Sequence, residues 1–256
     1  MSRPVILLGA QRSGTTALAS LLDAAFAATG GVFTINGKLP YVLHRWVTDS
    51  DLKARHLRAD EMISALRRKV PYGTHSEQWL ATTETVLRDS AAEVANGRVH
   101  DPVRLRREVI ERSYAGATRF GDKYNEYLLE LDLLAESVPE AHWVLLIRHP
   151  EAVARSMLQW VGDRPWRPAD REAALTKWVA WHEPWLAHPR TRNSRLCTVV
   201  EYSDLCAGSG VARLGSAIEM DLMSYRENLT ESTGAGDVQN LPPPVREVWS
   251  RLLERT

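Results

Sequence analysis

Residues 4–16, PVILLGAQRSGTT, constrain this chain more than any other stretch. An apolar run, Val5–Leu8, stops at Gly9, a short polar loop follows, and Leu18, Leu21, Leu22, Ala25 and Phe26 then recur at helical spacing. That order is strand, loop, helix. The first N–H groups of such a helix have no acceptor within it, and its dipole adds positive potential, so the junction is suited to an anion. Gly9 and Gly14 let the backbone bend and approach a ligand closely.

The spacing of Gly9, Gly14 and the following Thr15-Thr16 is that of a phosphate-binding loop with one change. Thr15 stands where a loop for ATP has Lys, the group that reaches the outer phosphates of a nucleoside triphosphate. A cation, Arg12, comes earlier in the loop instead. The segment therefore reads as a site for an anion other than the ATP tail. An ordinary Gly-containing turn would not need glycines, hydroxyls and an Arg together directly after an apolar strand.

Further along, 32–35 reads as a second strand, Asn36-Gly37 as a turn and Pro40 as the opening of a helix through Trp46. Residues 50–115 read as consecutive helices, at 60–69, 76–95 and 102–114, with no strand between them. They are expected to cap the sheet edge. Alternation returns with a strand at 118–122, a helix at 126–136 and the run HWVLLI at 142–147. That continuous apolar run fits a strand covered on both faces of a parallel sheet. A helix from Pro150 to about Val161, a loop at 162–168, a helix at 171–186 and a strand at 196–200 follow, with a last helix after three prolines at 242–244. The prediction is an α/β chain with a doubly wound parallel sheet, a P-loop-like nucleotide-binding core and a helical insertion or cap at about 50–115, in one domain over 1–256. Ligands of such sheets bind at the carboxyl ends of the strands.

Composition excludes some classes. With 32 basic and 32 acidic residues the net charge is zero, which argues against a general nucleic-acid or anionic-membrane binder. Only five of the basic residues are Lys, at 38, 53, 69, 123 and 177, so a lone Lys at a strand end draws attention. Cys197 and Cys206 make neither a disulfide framework nor a zinc site. No run approaches the length of a membrane span and no signal peptide precedes the first strand, so a cytoplasmic location is expected.

A second motif is LLIRHPEAVARSML, residues 145–158. Arg148 ends the apolar strand, and Ser156 lies about two turns into the following helix. Helical side chains lean toward the N-terminus, so Ser156 can point back to the strand end and join Arg148 in a second phosphate site. A third is GDKYNEYL, residues 121–128, where Lys123 directly follows a strand. A fourth is VVEYSDL, residues 199–205, with Tyr202 after a late strand.

Together these motifs resemble those of the sulfotransferases that use 3′-phosphoadenosine 5′-phosphosulfate (PAPS). RSGTT resembles the family's 5′-phosphosulfate loop. Arg148, Pro150 and Ser156 resemble its 3′-phosphate motif, with His149 in place of the usual Asp or Asn. The resemblance covers the scaffold to about residue 205 and implies transfer of a sulfuryl group from PAPS to a hydroxyl or amine of a small-molecule acceptor, leaving 3′-phosphoadenosine 5′-phosphate (PAP). No metal is implied. It further implies that Arg12, Ser13, Gly14, Thr15 and Thr16 hold the 5′-phosphosulfate and that Arg148 and Ser156 hold the 3′-phosphate. Tyr202 would pack on the adenine, and Lys123 with Arg12 would offset charge on the departing bridge. Some branches place a catalytic Glu after the second strand, but here that place holds Thr34, Ile35 and Asn36. His75 is then the first candidate base, with His44 and Asp122 as others. Five of the nine Trp lie between 160 and 185. Trp178, Trp181 and Trp185 read as core by spacing, whereas Trp160 and Trp166, beside a Gly/Pro loop, read either as packing or as an aromatic acceptor pocket. A P-loop-type kinase or NTPase, and a non-catalytic nucleotide-binding protein on the same fold, are the alternative readings.

Overall fold

The computed structural model describes residues 3–161, 166–229 and 240–256. Five strands, β1 (Val5–Leu8), β2 (Val32–Ile35), β3 (Phe120–Lys123), β4 (His142–Ile147) and β5 (Cys197–Glu201), form one sheet in the order β2-β3-β1-β4-β5. Every neighbouring pair is parallel. The helices are α1 (Thr15–Ala28), α2 (Leu39–Trp46), α3 (Asp49–Lys53), α4 (Ala59–Arg67), α5 (Ser76–Ala95), α6 (Pro102–Ser113), α7 (Leu131–Ser137), α8 (Pro150–Leu158), α9 (Arg171–Ala187), α10 (Tyr202–Ala207), α11 (Ser209–Ile218) and α12 (Pro243–Leu253). The doubly wound α/β architecture expected from the alternation is the one observed.

Strand periodicity divides the interior into two cores. Val5 and Leu7 of β1, Val144 and Leu146 of β4 and Val200 of β5 pack with α1 and α11 on one face. Ile6 and Leu8, with Trp143, Leu145 and Ile147, face the other side. There they meet the helices between β2 and β3 together with α7, α8, α9 and α12. All six residues of β4 are buried, as a strand covered on both faces requires. Trp178 and Trp185 are fully buried and Trp181 nearly so, as their spacing predicts.

Residues 49–113 are helical apart from their connections. They also blunt the sheet edge: the Ile35 N–H donates to the Tyr72 carbonyl (2.9 Å) and the Tyr72 N–H donates to Ile35 (3.1 Å), a single antiparallel bridge on the outer side of β2. Several boundaries move. β3 starts at Phe120 rather than residue 118, because the Thr118 N–H and hydroxyl are taken by the Gly30 and Thr29 carbonyls at the end of α1. The single helix expected at 126–136 is two elements, a 3₁₀ turn at Asn125–Leu129 and then α7, divided at Glu130. The turn tightens because its side chains are tied at both ends, Asn125 to the first loop and Tyr127 to Asp122. α8 ends at Leu158, three residues early. The expected loop at 162–168 lies partly outside the described residues.

α1 carries the chain from β1 to β2 on one side, and α7 carries it from β3 to β4 on the opposite face. The strand order therefore reverses beside β1, and the crevice between the carboxyl ends of β1 and β4 is the topological switch point.

Candidate active site

A cavity of about 820 Å³ opens at this switch point. From the first loop, Gln11, Arg12, Gly14, Thr15, Thr16 and Ala17 line it; from the end of β4 and from α8 come Arg148, Ser156 and Trp160. The β3 end contributes Lys123, Asn125 and Glu126, and Asn36, Lys69, Tyr72 and Trp166 complete the wall.

The loop is held in shape by close packing. Gly14 has φ 93°, a left-handed conformation, and a Cβ there would lie 2.3 Å from the Tyr202 ring. A Cβ on Gly9 would lie 2.8 Å from the Leu146 carbonyl of β4. No side chain caps α1 and no acid occupies its first turn, so its N-terminal amides face the cavity without a competing anion.

Arg12 and the β4 motif meet directly. Arg12 Nε donates to Ser156 Oγ at 3.0 Å, and an Arg148 N–H donates to the Arg12 carbonyl at 3.4 Å. The Arg12 guanidinium lies 4.4 Å from the Trp160 ring centre, and that of Arg148 lies 4.8 Å from Tyr202. Burial, and then the nearby Arg148, lower the Arg12 pKa from its usual value. Two guanidiniums brought together across two loops are an arrangement that an anion relieves.

Lys123 is 5% exposed, and burial first, then the charge of Lys69, push its pKa down to about 8. Its neighbour Asp122 is sequestered. Thr34 Oγ1 (2.9 Å), the Gly37 and Lys38 amides (both 2.9 Å), the Lys123 amide (2.8 Å) and the Tyr127 hydroxyl (2.7 Å) all donate to that one carboxylate. Asn36 and Lys38 adopt positive φ so that the turn after β2 presents its amides to Asp122. Asp122 thus builds the turn and does not line the cavity, and burial raises its pKa.

The geometry sorts the predicted residues. Arg12, Gly14, Thr15, Thr16, Lys123, Arg148 and Ser156 converge on one cavity. Ser13 is fully buried within the loop, its hydroxyl without a hydrogen-bond partner. Tyr202 lies beneath Gly14 and beside Arg148 rather than on the cavity wall. His75 precedes α5 on the exposed surface and His44 is exposed on α2; neither lines the cavity. His149, the departure from the usual motif, is buried edge-on against Trp249 of α12, with ring centres 5.5 Å apart. Trp160 and Trp166 pack on each other with ring centres 5.9 Å apart, and both line the cavity.

Sequence reasoning missed Gln11, Asn36, Lys69, Tyr72, Asn125 and Glu126. One signal was present: four of the five lysines gather here. Lys69 and Lys123 line the cavity, Lys38 Nζ reaches the Lys69 carbonyl (3.5 Å), and Lys177 Nζ donates to Gln11 (2.9 Å) and to the Trp166 carbonyl (2.6 Å).

The sulfotransferase family profile matches residues 4–209, and the chain belongs to that family. Among solved structures it is similar to the sulfotransferase domain of the Synechococcus PCC 7002 olefin synthase, with 16% identity and a TM-score of 0.56 over 100% of this chain and 89% of that one. Weaker likenesses are to the sulfotransferase domain from the curacin biosynthetic pathway (14% identity, TM-score 0.48, covering 92% of this chain and 81% of that one) and to STF1 from Mycobacterium tuberculosis H37Rv (18% identity, TM-score 0.47, covering 99% and 77%). No curated protein sequence matches the chain. The first likeness is one of fold; the family match makes the chain a sulfotransferase, an enzyme of sulfuryl transfer. Among the described residues no helix is long and apolar enough to cross a membrane, and no group of His, Cys, Asp and Glu is placed to hold a metal ion.

Proposed function

We propose that the chain transfers the sulfuryl group of PAPS to a hydroxyl, or an amine, of a small-molecule acceptor. The observation that carries this reading is the junction of Arg12, Ser156 and Arg148 in one cavity. ATP carries no phosphate on the 3′-oxygen of its ribose and gives such a junction no purpose. The lining suits a polyanion: among the described residues four cations, Arg12, Lys69, Lys123 and Arg148, face a single carboxylate, Glu126.

In this reading the amides before α1, with Thr15, Thr16 and Arg12, hold the 5′-phosphosulfate, and Arg148 and Ser156 hold the 3′-phosphate. Tyr202 supports Arg148 and the Gly14 turn from below. Lys123 offsets charge on the bridging oxygen as it departs. Positioning and fixed charge supply the catalysis, as in phosphoryl transfer.

Calorimetry tests the donor. PAP is expected to bind the wild-type protein, and absence of binding by folded protein contradicts the reading. Arg148→Ala is expected to weaken PAPS binding by about 10- to 100-fold, the loss of charge-assisted hydrogen bonds, and to leave adenosine 5′-phosphosulfate, which lacks the 3′-phosphate, changed by less than about threefold. Equal losses for the two nucleotides remove the 3′-phosphate role from Arg148.

A further inference from the structure

The carboxylate expected after β2 is absent, and the candidate bases His75 and His44 stand off the cavity. Asp122 has both oxygens committed to buried donors. Among the described residues Glu126 is the one acidic residue on the cavity wall. It comes from the end of β3, three residues after Lys123, and is only partly exposed.

Its placement is built in. The Asn125 side-chain amide donates to the Gly9 carbonyl at 2.7 Å and reaches Thr15 Oγ1 at 3.5 Å, so the 3₁₀ turn is stitched to the first loop immediately before Glu126. Tyr127 Oη anchors the following residue of the turn to Asp122 at 2.7 Å. With both neighbours fixed, the Glu126 backbone is held in register with the loop. Among the described residues no Lys, Arg or His lies within ion-pair distance of its carboxylate. Its charge is nevertheless felt by Lys38, Lys123 and Lys177, and the Tyr124 phenol donates a hydrogen bond to it. A carboxylate that has no ion-pair partner among the described residues and accepts a hydrogen bond from the Tyr124 phenol, on a cationic wall beside the Lys that faces the departing bridge, is available to take a proton.

We infer that Glu126 is the general base of this sulfotransferase, doing from the end of β3 what a residue after β2 does elsewhere. The inference rests on the sulfuryl-transfer reading above. As the acceptor oxygen forms its bond to sulfur, the bond from sulfur to the bridging oxygen breaks, and that electron pair stays on the 5′-phosphate beside Lys123. The acceptor's hydroxyl proton passes to the Glu126 carboxylate and from there to solvent. No further reactant enters the balance.

The experiment compares wild type with Glu126→Gln and Glu126→Asp. PAP affinity is read by calorimetry, and PAPS consumption is read with water alone, with 2-phenylethanol and with 4-nitrophenol, which is ionised at mildly alkaline pH. Glu126→Gln is expected to slow reaction with water and with the alcohol by at least about 100-fold, while PAP affinity and transfer to the nitrophenolate stay within about threefold of wild type. Glu126→Asp, which keeps the base on a shorter arm, is expected to fall between. Unchanged rates with water and the alcohol overturn the assignment, as does an equal loss with the phenolate, which has no proton to give. Wild-type protein that binds PAP yet consumes PAPS no faster than free solution also overturns it and leaves the donor site standing. Protein that does not bind PAP takes down the donor reading itself.

Discussion

Lys123→Ala is expected to lower kcat for sulfuryl transfer by about 10²- to 10³-fold, the usual effect of deleting one fixed charge or donor aimed at a developing oxyanion. Binding of PAP should weaken far less, because the loop amides, Arg12 and Arg148 remain. The same Lys sets a pH limb. Buried, and beside Lys69, Lys123 has a pKa pushed down to about 8. It is charged below that pH and neutral above it, so kcat/KM is expected to fall as pH rises through about 8. Lys123→Arg keeps its charge throughout this range and should lose that limb. A limb at the same pH in both proteins assigns it to another group.

Asp122→Ala is expected to have the largest effect on stability, at about 3–5 kcal/mol, because it removes the one acceptor shared by a cluster of buried donors. For a chain of this size that is a fall in Tm of roughly 10 °C, readable by calorimetry or by chemical denaturation. The loss should reach the site as well. Asp122 holds the Gly37 and Lys38 amides and the Lys123 amide together, so the turn carrying Asn36 and the end of β3 relax in concert. A Tm within about 2 °C of wild type shows that these donors find other acceptors.

The part of the cavity built by the first loop and the end of β4 was legible because its residues are close in sequence and their spacing has a local cause. A strand, a glycine-bearing loop and a helix N-terminus make an anion site wherever they occur together, and Arg148 and Ser156 sit eight residues apart at one strand–helix junction. The rest of the cavity wall was harder to read. Asn36, Lys69 and Tyr72 come from the chain between β1 and β3, and no spacing relates them to the loop. Glu126 sits in a stretch that scans as an ordinary helix start, and only the 3₁₀ turn imposed by Asn125 and Tyr127 fixes its position. His75 drew attention because the residue type suits a base, yet its position before α5 leaves it on the surface.

The strand boundaries tell the same story. HWVLLI is recognisable as a doubly covered strand because all six of its residues are apolar or buried by their neighbours. The start of β3 could not be read from residues 118–122, since the carbonyls that claim Thr118 belong to the end of α1, almost ninety residues earlier.

Local order of residues determined the α/β class, the glycine-bearing loop between β1 and α1, the Arg148–Ser156 junction and the family, because each depends on groups a few residues apart whose geometry the backbone itself enforces. Tertiary structure alone decided that Arg12 bonds Ser156 across 144 positions of chain, that Asp122 is structural, and that Glu126, Lys69 and Lys123 line one cavity. Those relations follow from the order in which five parallel strands lie side by side. That order is set by which faces the intervening helices bury, not by any pattern within a single segment.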